Sequence, residues 1–571
     1  LEQWEGIFGL PRNSFFLGDP ARDYSVRFHG KRASSPLGPA AGPHTQLAQN
    51  IVQAWLAGAR VFELKTIQVR DDLKIPRPCI DMRNVGYNVE WSQELPLEQS
   101  LEEYVKASML IDMLRVSGLA QGYDHSIFDM SVGYDLAGIR SARVRAFIEG
   151  MKAAGPTVAR LRSLIPSQLQ RWSQTPFSTS IADTVTLSTF HGCPPREIED
   201  IAGFLMAEMG LNVIIKLNPT LLGPAELRAL LHDALGYADV RVPDEAFEKD
   251  ARWDEVTGFV ERLERKAAGL GLGFGVKFCN TLVVENRAGF LPAAEKTSYL
   301  SGAPLHVLAM HLVQRFRARF GQRLPISFSG GIDRFNFPDA VSLGLVPVTV
   351  CSDLLKPGGY GRLRGYMEEL GRRMDAVKAA DIPQFVRNSR GTEAYVAAAS
   401  ADPRYARARN TGAPRKVGSR LELFDCLTCD KCISACPNGA NFSYEPVTGC
   451  VPPDGPLRRR RQIANFVDFC NECGNCDVFC PEDGGPQVRK PRFFGDLEAW
   501  RADSGDGFCL LRENGGETVH GRIDGREYML RVSGESVERQ GGADGESEPF
   551  LLMEFLRKAV LSSMRSNYVN S

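Results

Sequence analysis

Through roughly the first 380 residues, short apolar and β-branched runs alternate with longer stretches of helical character. Each short run ends in a polar or glycine-rich turn, at 39–42, 65–68, 131–135, 188–193, 216–220, 277–281, 329–331 and 351–353. Helical windows fall between them, for example at 46–57, 196–209, 304–320 and 338–343. This is the rhythm of a parallel α/β fold. Eight strand–helix units in about 350 residues predict a (β/α)8 TIM barrel, whose active site gathers at the C-terminal ends of the strands. An open doubly wound sheet would instead carry G-x-G-x-x-G. The nearest approach, Gly269-Leu270-Gly271-Leu272-Gly273, fails at the last glycine, so no NAD- or FAD-binding Rossmann domain is expected here.

The pattern changes further on. Residues 397–420 are rich in Ala, Arg, Pro and Gly and read as a connection. Residues 510–535 alternate apolar and polar positions around Glu513-Asn514-Gly515-Gly516 and Ile523-Asp524-Gly525, which predicts a hairpin or small meander. A flexible polar stretch at 541–548 then precedes a terminal amphipathic helix over 549–563.

Composition narrows the function classes. The chain has 571 residues, 43% hydrophobic and 24% charged, which excludes collagen-like and wholly disordered chains. Lys+Arg (68) nearly cancel Asp+Glu (69), so no basic field marks a nucleic-acid or anionic-membrane binder. Apolar stretches fall short of the ~20 residues of a membrane span, and no leader pattern opens the chain. A cytoplasmic location is expected.

Of 14 cysteines, eight form two strings, Cys426-x2-Cys429-x2-Cys432-x3-Cys436-Pro437 and Cys470-x2-Cys473-x2-Cys476-x3-Cys480-Pro481. This is the run of two-cluster bacterial ferredoxins, where three thiolates wrap one cubane and the fourth reaches across to the other. Cys426, Cys429, Cys432 and Cys480 are therefore expected on one [4Fe–4S] cluster, and Cys470, Cys473, Cys476 and Cys436 on the second. Zinc sites take two pairs of ligands and make no use of this full pattern. Cys450 and Cys509 lie outside both strings and read as buried thiols. Arg458–Arg461, between the strings, is either a solvated loop or a docking point for an acidic redox partner.

In the barrel, Ser329-Gly330-Gly331-Ile332-Asp333 and Cys351-Ser352-Asp353 close the seventh and eighth strands, where barrels commonly bind a phosphate. Lys65 and Lys216 end two other strands at the same mouth, as electrostatic partners of a cofactor or as Schiff-base nucleophiles. The strings Pro36-Leu37-Gly38-Pro39-Ala40-Ala41-Gly42, Glu63-Leu64-Lys65-Thr66, Ile215-Lys216-Leu217-Asn218-Pro219, Asn280-Thr281 and the glycine turn occur in the order seen in dihydroorotate dehydrogenases. The chain resembles more closely still the FMN domain of dihydropyrimidine dehydrogenase, which is also fused to a two-cluster ferredoxin. With Ser188-Thr189-Phe190-His191-Gly192-Cys193-Pro194-Pro195 it is most similar to the selenate-reductase-like (YgfK-type) subunits.

The resemblance implies FMN across the barrel mouth, its phosphate on Gly330, Gly331, Cys351 and Ser352. Lys65, Thr66 and Lys216 would flank the flavin, Ala40, Ala41 and Gly42 would let the backbone approach it, and Asn280 and Thr281 would bind substrate above it. Cys193 would exchange a proton with the substrate, with His191 as rival donor and Lys65 counted with the catalytic group. Pyrimidine-reducing relatives end the fourth strand with Asn-Leu-Ser where this chain has Thr186-Leu187-Ser188, and the third strand ends Gly133-Tyr134-Asp135 where an Asn is expected. The implied substrate is thus another small nitrogen heterocycle, purine- or pyrimidine-like. The implied function is hydride transfer between FMN and a C=C or C=N bond, with electrons relayed through two [4Fe–4S] clusters. The alternative is an electron-transfer subunit without a substrate of its own. Family members add a glutamate-synthase-like FAD/NAD(P)H module, so a separate partner of that kind, or ferredoxin, is expected, within an oligomer or hetero-complex. The division of the chain follows: an extension at 1–30, the barrel at 31–385, a linker at 386–420, a ferredoxin-like domain at 421–495 and a β-rich tail at 496–571.

Overall fold

Eight short strands pair in parallel. They are β1 (Leu37–Pro39), β2 (Val61–Glu63), β3 (Ile127–Val132), β4 (Thr184–Ser188), β5 (Asn212–Leu217), β6 (Phe274–Phe278), β7 (Ile326–Phe328) and β8 (Val348–Val350), and their order around the sheet is β1-β8-β7-β6-β5-β4-β3-β2. The two ends of that order meet where Arg60 N donates to Leu37 O at 2.9 Å, so the sheet closes into a barrel. Gly38 permits the closure: a Cβ there would fall 1.6 Å from Val61 O. All eight strands end where the turns were expected. The structure, a computed structural model, describes residues 6–71, 75–89, 95–188, 191–286, 289–513, 515–542, 547–563 and 565–570. Thr189, Phe190, Asn514 and residues 543–546 of the expected polar stretch lie outside the described residues.

The helices match the expected windows to within two residues at each end, at Ala48–Leu56, Pro195–Ala207, Ala303–Phe320 and Phe337–Ser342. They bury Ile51, Trp55, Ile201, Leu205, Val313 and Phe337 against the strands. Residues before 31 are packed, not appended: Leu10, Phe15, Tyr24, Val26 and Phe28 belong to the same apolar core. A similar correction applies after the barrel. The helix Thr392–Ser400 and Tyr405 lie in the segment expected as a linker, yet Val396, Ala399 and Tyr405 are buried in the barrel core. The chain divides into two units between Ala413 and Pro414. Over the strand ends lies a four-stranded antiparallel cap, Ile80–Asp81, Gly86–Asn88, Leu282–Glu285 and Thr297–Ser301, built by excursions after β2 and β6.

The second unit is α+β. Its seven strands, β9 (Asn441–Tyr444), β10 (Gln462–Phe466), β11 (Arg492–Phe494), β12 (Gly507–Glu513), β13 (Gly516–Ile523), β14 (Arg526–Ser533) and β15 (Ser536–Gln540), form one sheet in sequence order. The meander expected at 510–535 is β12–β14, but parallel pairs β10–β11 and β11–β12 join it to the cysteine-bearing half. The two halves thus share a sheet. The terminal helix, Glu548–Leu561, buries Phe550, Met553, Leu556 and Val560 with Val519, Tyr528 and Leu530. Among the described residues, no helix is long and apolar enough to cross a membrane.

Candidate active site

The strand ends and the cap enclose a cleft with about 1010 Å³ of open space, its solvent mouth included. Every residue expected along a flavin lines it: Ala40, Ala41 and Gly42 after β1, Lys65 and Thr66 after β2, Lys216 on β5, Asn280 and Thr281 after β6, Gly330 and Gly331 after β7, and Cys351 and Ser352 after β8. The cap contributes Met82, Tyr87, Asn88 and Ser301. Short polar contacts fix several of these side chains. Ser301 Oγ lies 2.7 Å from Ser352 Oγ, Thr66 Oγ1 lies 2.8 Å from Ser131 Oγ, and Asn280 donates to Asn218 Oδ1 at 2.9 Å.

The glycine turn is shaped for an anion. Gly331 has φ +52°, and a Cβ there would sit 2.3 Å from Gly302 O. Among the described residues, the backbone N–H groups of Gly330, Gly331 and Ile332 have no hydrogen-bond partner. Successive unpartnered N–H groups make a concave anion site.

Beneath the cleft the barrel interior is polar, where branched apolar side chains usually fill such barrels. Lys277 Nζ lies 2.7 Å from Glu63 Oε2, 2.7 Å from Thr349 Oγ1 and 3.3 Å from Ser327 Oγ. Lys216 Nζ stands 3.9 Å from Glu63 Oε1, so one carboxylate serves two ammonium groups. Burial acts to raise the Glu63 pKa, but Lys277 and Lys216 outweigh it and hold it below the ordinary carboxylate value. Asp129 behaves oppositely. Burial pushes its pKa up to about 7, with Glu63 adding to the rise and the Thr186 hydrogen bond opposing it. Thr186 Oγ1 donates to Asp129 Oδ2 at 2.6 Å, so its hydroxyl is engaged inside the barrel. Glu63, Asp129 and Lys277 were not singled out from the sequence. Their signal was a charge inside an otherwise apolar strand, as in Ile127-Phe128-Asp129-Met130.

Cys193 and His191 do not line this cleft. Cys193 is 2% exposed, with its Sγ 4.0 Å from Pro194 O. Burial, with Glu197, Asp250 and Asp135 nearby, pushes its thiol up to about 12. His191 stacks on Tyr299 at 5.5 Å, and its Nδ1 lies 3.3 Å from Asp250 Oδ2. Asp250 also accepts from Gly192 N and Thr220 Oγ1, tying the turn after β4 to β5. The cleft's own thiols are also held protonated by burial, Cys351 at about 11 and Cys279 at about 12.

In the second unit none of the eight string cysteines forms a disulfide. Cys426, Cys429, Cys432 and Cys480 line a single hollow together with Leu421, Leu427, Ile463 and Pro486. The hollow thus brings together the four cysteines expected on one cluster, three from the first string and the fourth from the second. Cys476 lies near Cys436 and Cys470 and also near Cys432 of the other set; burial first and then these neighbours push up its thiol. Among the described residues, no three His, Cys, Asp or Glu side chains converge on a single metal ion. Cys450 is half-buried with its Sγ toward Phe555 O, and Cys509 is buried. In the basic run, Arg460 pairs with Glu445 at 3.0 Å and Arg461 with Asp430 at 2.6 Å.

The fold is a (β/α)8 TIM barrel with a polar cleft at the C-terminal mouth of its strands. The family model described as oxidoreductase YgfK, N-terminal TIM-barrel domain, matches residues 8–406, and the chain belongs to that family. It is 40% identical over 389 residues to the oxidoreductase YgfK of Escherichia coli K12, and equally to that of Escherichia coli O157:H7. The match takes in 65% of this chain but 37% of each relative, so the chain spans little more than a third of their length. Among solved structures it is similar to ligand-free DHODH from Eimeria tenella, with a TM-score of 0.43 and 16% identity over 65% of this chain and 94% of that one. The same enzyme in complex with ferulenol gives a TM-score of 0.41 at 16% identity, over 66% and 90% of the two chains.

Proposed function

We propose that the cleft binds FMN and that the barrel exchanges hydride between the flavin and a C=C or C=N bond of a small nitrogen heterocycle. One observation carries this reading: twelve residues drawn from the ends of six strands, expected along a flavin, line one cleft at the C-terminal mouth of the barrel. The donor set suits the group. Three N–H groups of the glycine turn and the Ser352 hydroxyl suit a phosphate, and the ammonium groups of Lys65 and Lys216 suit a ring that gains negative charge on reduction. When bound, FMN supplies the step between two-electron hydride chemistry and single-electron exchange. Thr66, Asn88, Ser188, Asn280 and Thr281 give the cleft amides and hydroxyls that match the ring nitrogens and carbonyls of a purine or pyrimidine.

Two [4Fe–4S] clusters, on Cys426/Cys429/Cys432/Cys480 and on Cys470/Cys473/Cys476/Cys436, complete the proposal as single-electron carriers. A separate FAD- and NAD(P)H-binding subunit, or ferredoxin, is the proposed electron partner. The test is anaerobic: the reduced protein is mixed in turn with purines and pyrimidines, and reoxidation of the flavin is followed by absorbance. One heterocycle that reoxidises it supports the reading; flavin that no heterocycle reoxidises overturns the substrate claim.

The burial of Cys193 away from the cleft favours a second reading, an electron-transfer subunit that protonates no substrate. Under that reading Cys193→Ala leaves every electron-transfer rate unchanged. Under the first, with Cys193 brought to the cleft by movement of its loop, the same variant retains flavin and loses turnover.

A further inference from the structure

The glycine turn after β7 is held from behind by a segment that the sequence presents as a linker. His306, on the helix Ala303–Phe320, is 0% exposed, and its Nδ1 lies 2.9 Å from Gly330 O. A carbonyl can only accept, so Nδ1 carries the proton and Nε2 is left as an acceptor. Nε2 takes the Tyr395 hydroxyl at 2.7 Å. The imidazole also stacks on Tyr405, with ring centroids 5.0 Å apart and planes 17° from parallel. Burial keeps this imidazole neutral, its pKa pulled down to about 4.

A second tie runs alongside. Asn336, also 0% exposed, spends one amide hydrogen on Gly331 O at 3.0 Å and the other on the Tyr405 hydroxyl at 3.2 Å. Its Oδ1 accepts from Asp333 N at 2.8 Å, so the amide orientation is fixed. The carbonyls of two consecutive residues are thereby drawn back into the protein. A trans peptide carries its C=O and the following N–H on opposite sides. Holding the carbonyls of Gly330 and Gly331 inward therefore turns the N–H groups of Gly331 and Ile332 the other way, and both residues form the cleft wall there. Glycines are otherwise free to rotate these planes, since they lack the steric limits of other residues.

We infer that Tyr395 and Tyr405 are positioning residues that brace the Gly330–Gly331 turn, through His306 and Asn336, to receive the phosphate of the bound ligand. This rests on the proposed reading of the cleft as an FMN site. Neither tyrosine lines the cleft, so each acts only through its partner.

The test compares two ligands that differ only in the phosphate. The 571-residue protein is stripped of flavin, and FMN and riboflavin binding are measured by fluorescence quenching for the wild type, Tyr395→Phe, Tyr405→Phe and the double variant. Phenylalanine keeps the rings and removes only the hydroxyls. Each single variant should weaken FMN binding about fivefold to tenfold, the scale of one lost hydrogen bond. Riboflavin binding should stay within about twofold of wild type. Equal loss of both ligands would mean general loosening of the barrel and would overturn the inference. So would unchanged FMN binding in the double variant, with the cleft reading left standing. Wild-type protein that binds FMN no more tightly than riboflavin overturns both the phosphate placement and the brace.

Discussion

The Lys277 ammonium and the Glu63 carboxylate meet at 2.7 Å in the barrel interior, and each residue is only 1% exposed. A buried pair of this kind contributes little net stability compared with apolar residues of the same volume, but it is costly to break. Its value here is placement. Glu63 faces Lys216 as well, so the pair sets where positive charge stands at the cleft floor.

Removing one partner should therefore be worse than removing both. Lys277→Met leaves Glu63 buried without its closest cation and should cost about 3–5 kcal/mol. Glu63→Leu with Lys277→Met should recover most of that loss while changing the charge beneath the cleft. Chemical denaturation followed by circular dichroism measures both. A single variant within about 1 kcal/mol of wild type would show that the pair is not held as described.

Asp129 gives the barrel a pH dependence of known sign. Its carboxyl titrates near 7 in the folded chain, above the value of 3.8 for a free aspartate. Between those values the unfolded chain releases the proton and the folded chain keeps it, so this contribution is fully present below about pH 4 and declines as pH rises through 7. Asp129→Asn removes the titration. The variant's stability relative to wild type should rise across pH 4 to 7, by about 4 kcal/mol at most. Parallel pH profiles for the two proteins would contradict this.

Gly38→Ala tests the closure of the barrel. The added methyl would meet Val61 O at 1.6 Å, and both partners belong to strands held on either side. Backbone cannot yield there as a flexible side chain could, so the variant should be insoluble or unfolded under conditions where wild type is folded. Soluble Gly38→Ala protein with a wild-type melting temperature would mean that β1 and β2 are not so close.

What the sequence made legible follows from chemistry at the strand ends. Polar and glycine residues punctuate each apolar run just where the strand stops, so the turns after β1 to β8 and the twelve cleft residues could be read together. Charges within the strands carried no such punctuation, and Glu63, Asp129 and Lys277 gain meaning only when the barrel folds them onto one another. Residues 386–405 looked like a linker because Ala397, Ala398 and Ala399 are small and unpatterned, yet small residues are what a helix packed closely on Ala303–Phe320 needs. Pairing of β10, β11 and β12 joins segments separated by loops, and no local period reports it.

The crossed assignment of the cysteines makes the last prediction, because sequence proximity and spatial grouping disagree. Cys429 and Cys436 share a string, whereas Cys429 and Cys480 line the same hollow. Protein purified without oxygen should carry about eight iron atoms per chain if both cubanes assemble. Cys429→Ser with Cys480→Ser strikes one cluster twice and should leave about four. Cys429→Ser with Cys436→Ser strikes both and should leave almost none, while Cys509→Ser, outside both sets, should keep all of them. An uncrossed arrangement reverses the two double variants. Iron and sulfide analysis beside low-temperature paramagnetic spectra of the reduced proteins separates the two outcomes, and near-wild-type iron in Cys429→Ser/Cys436→Ser would exclude these thiols as cluster ligands.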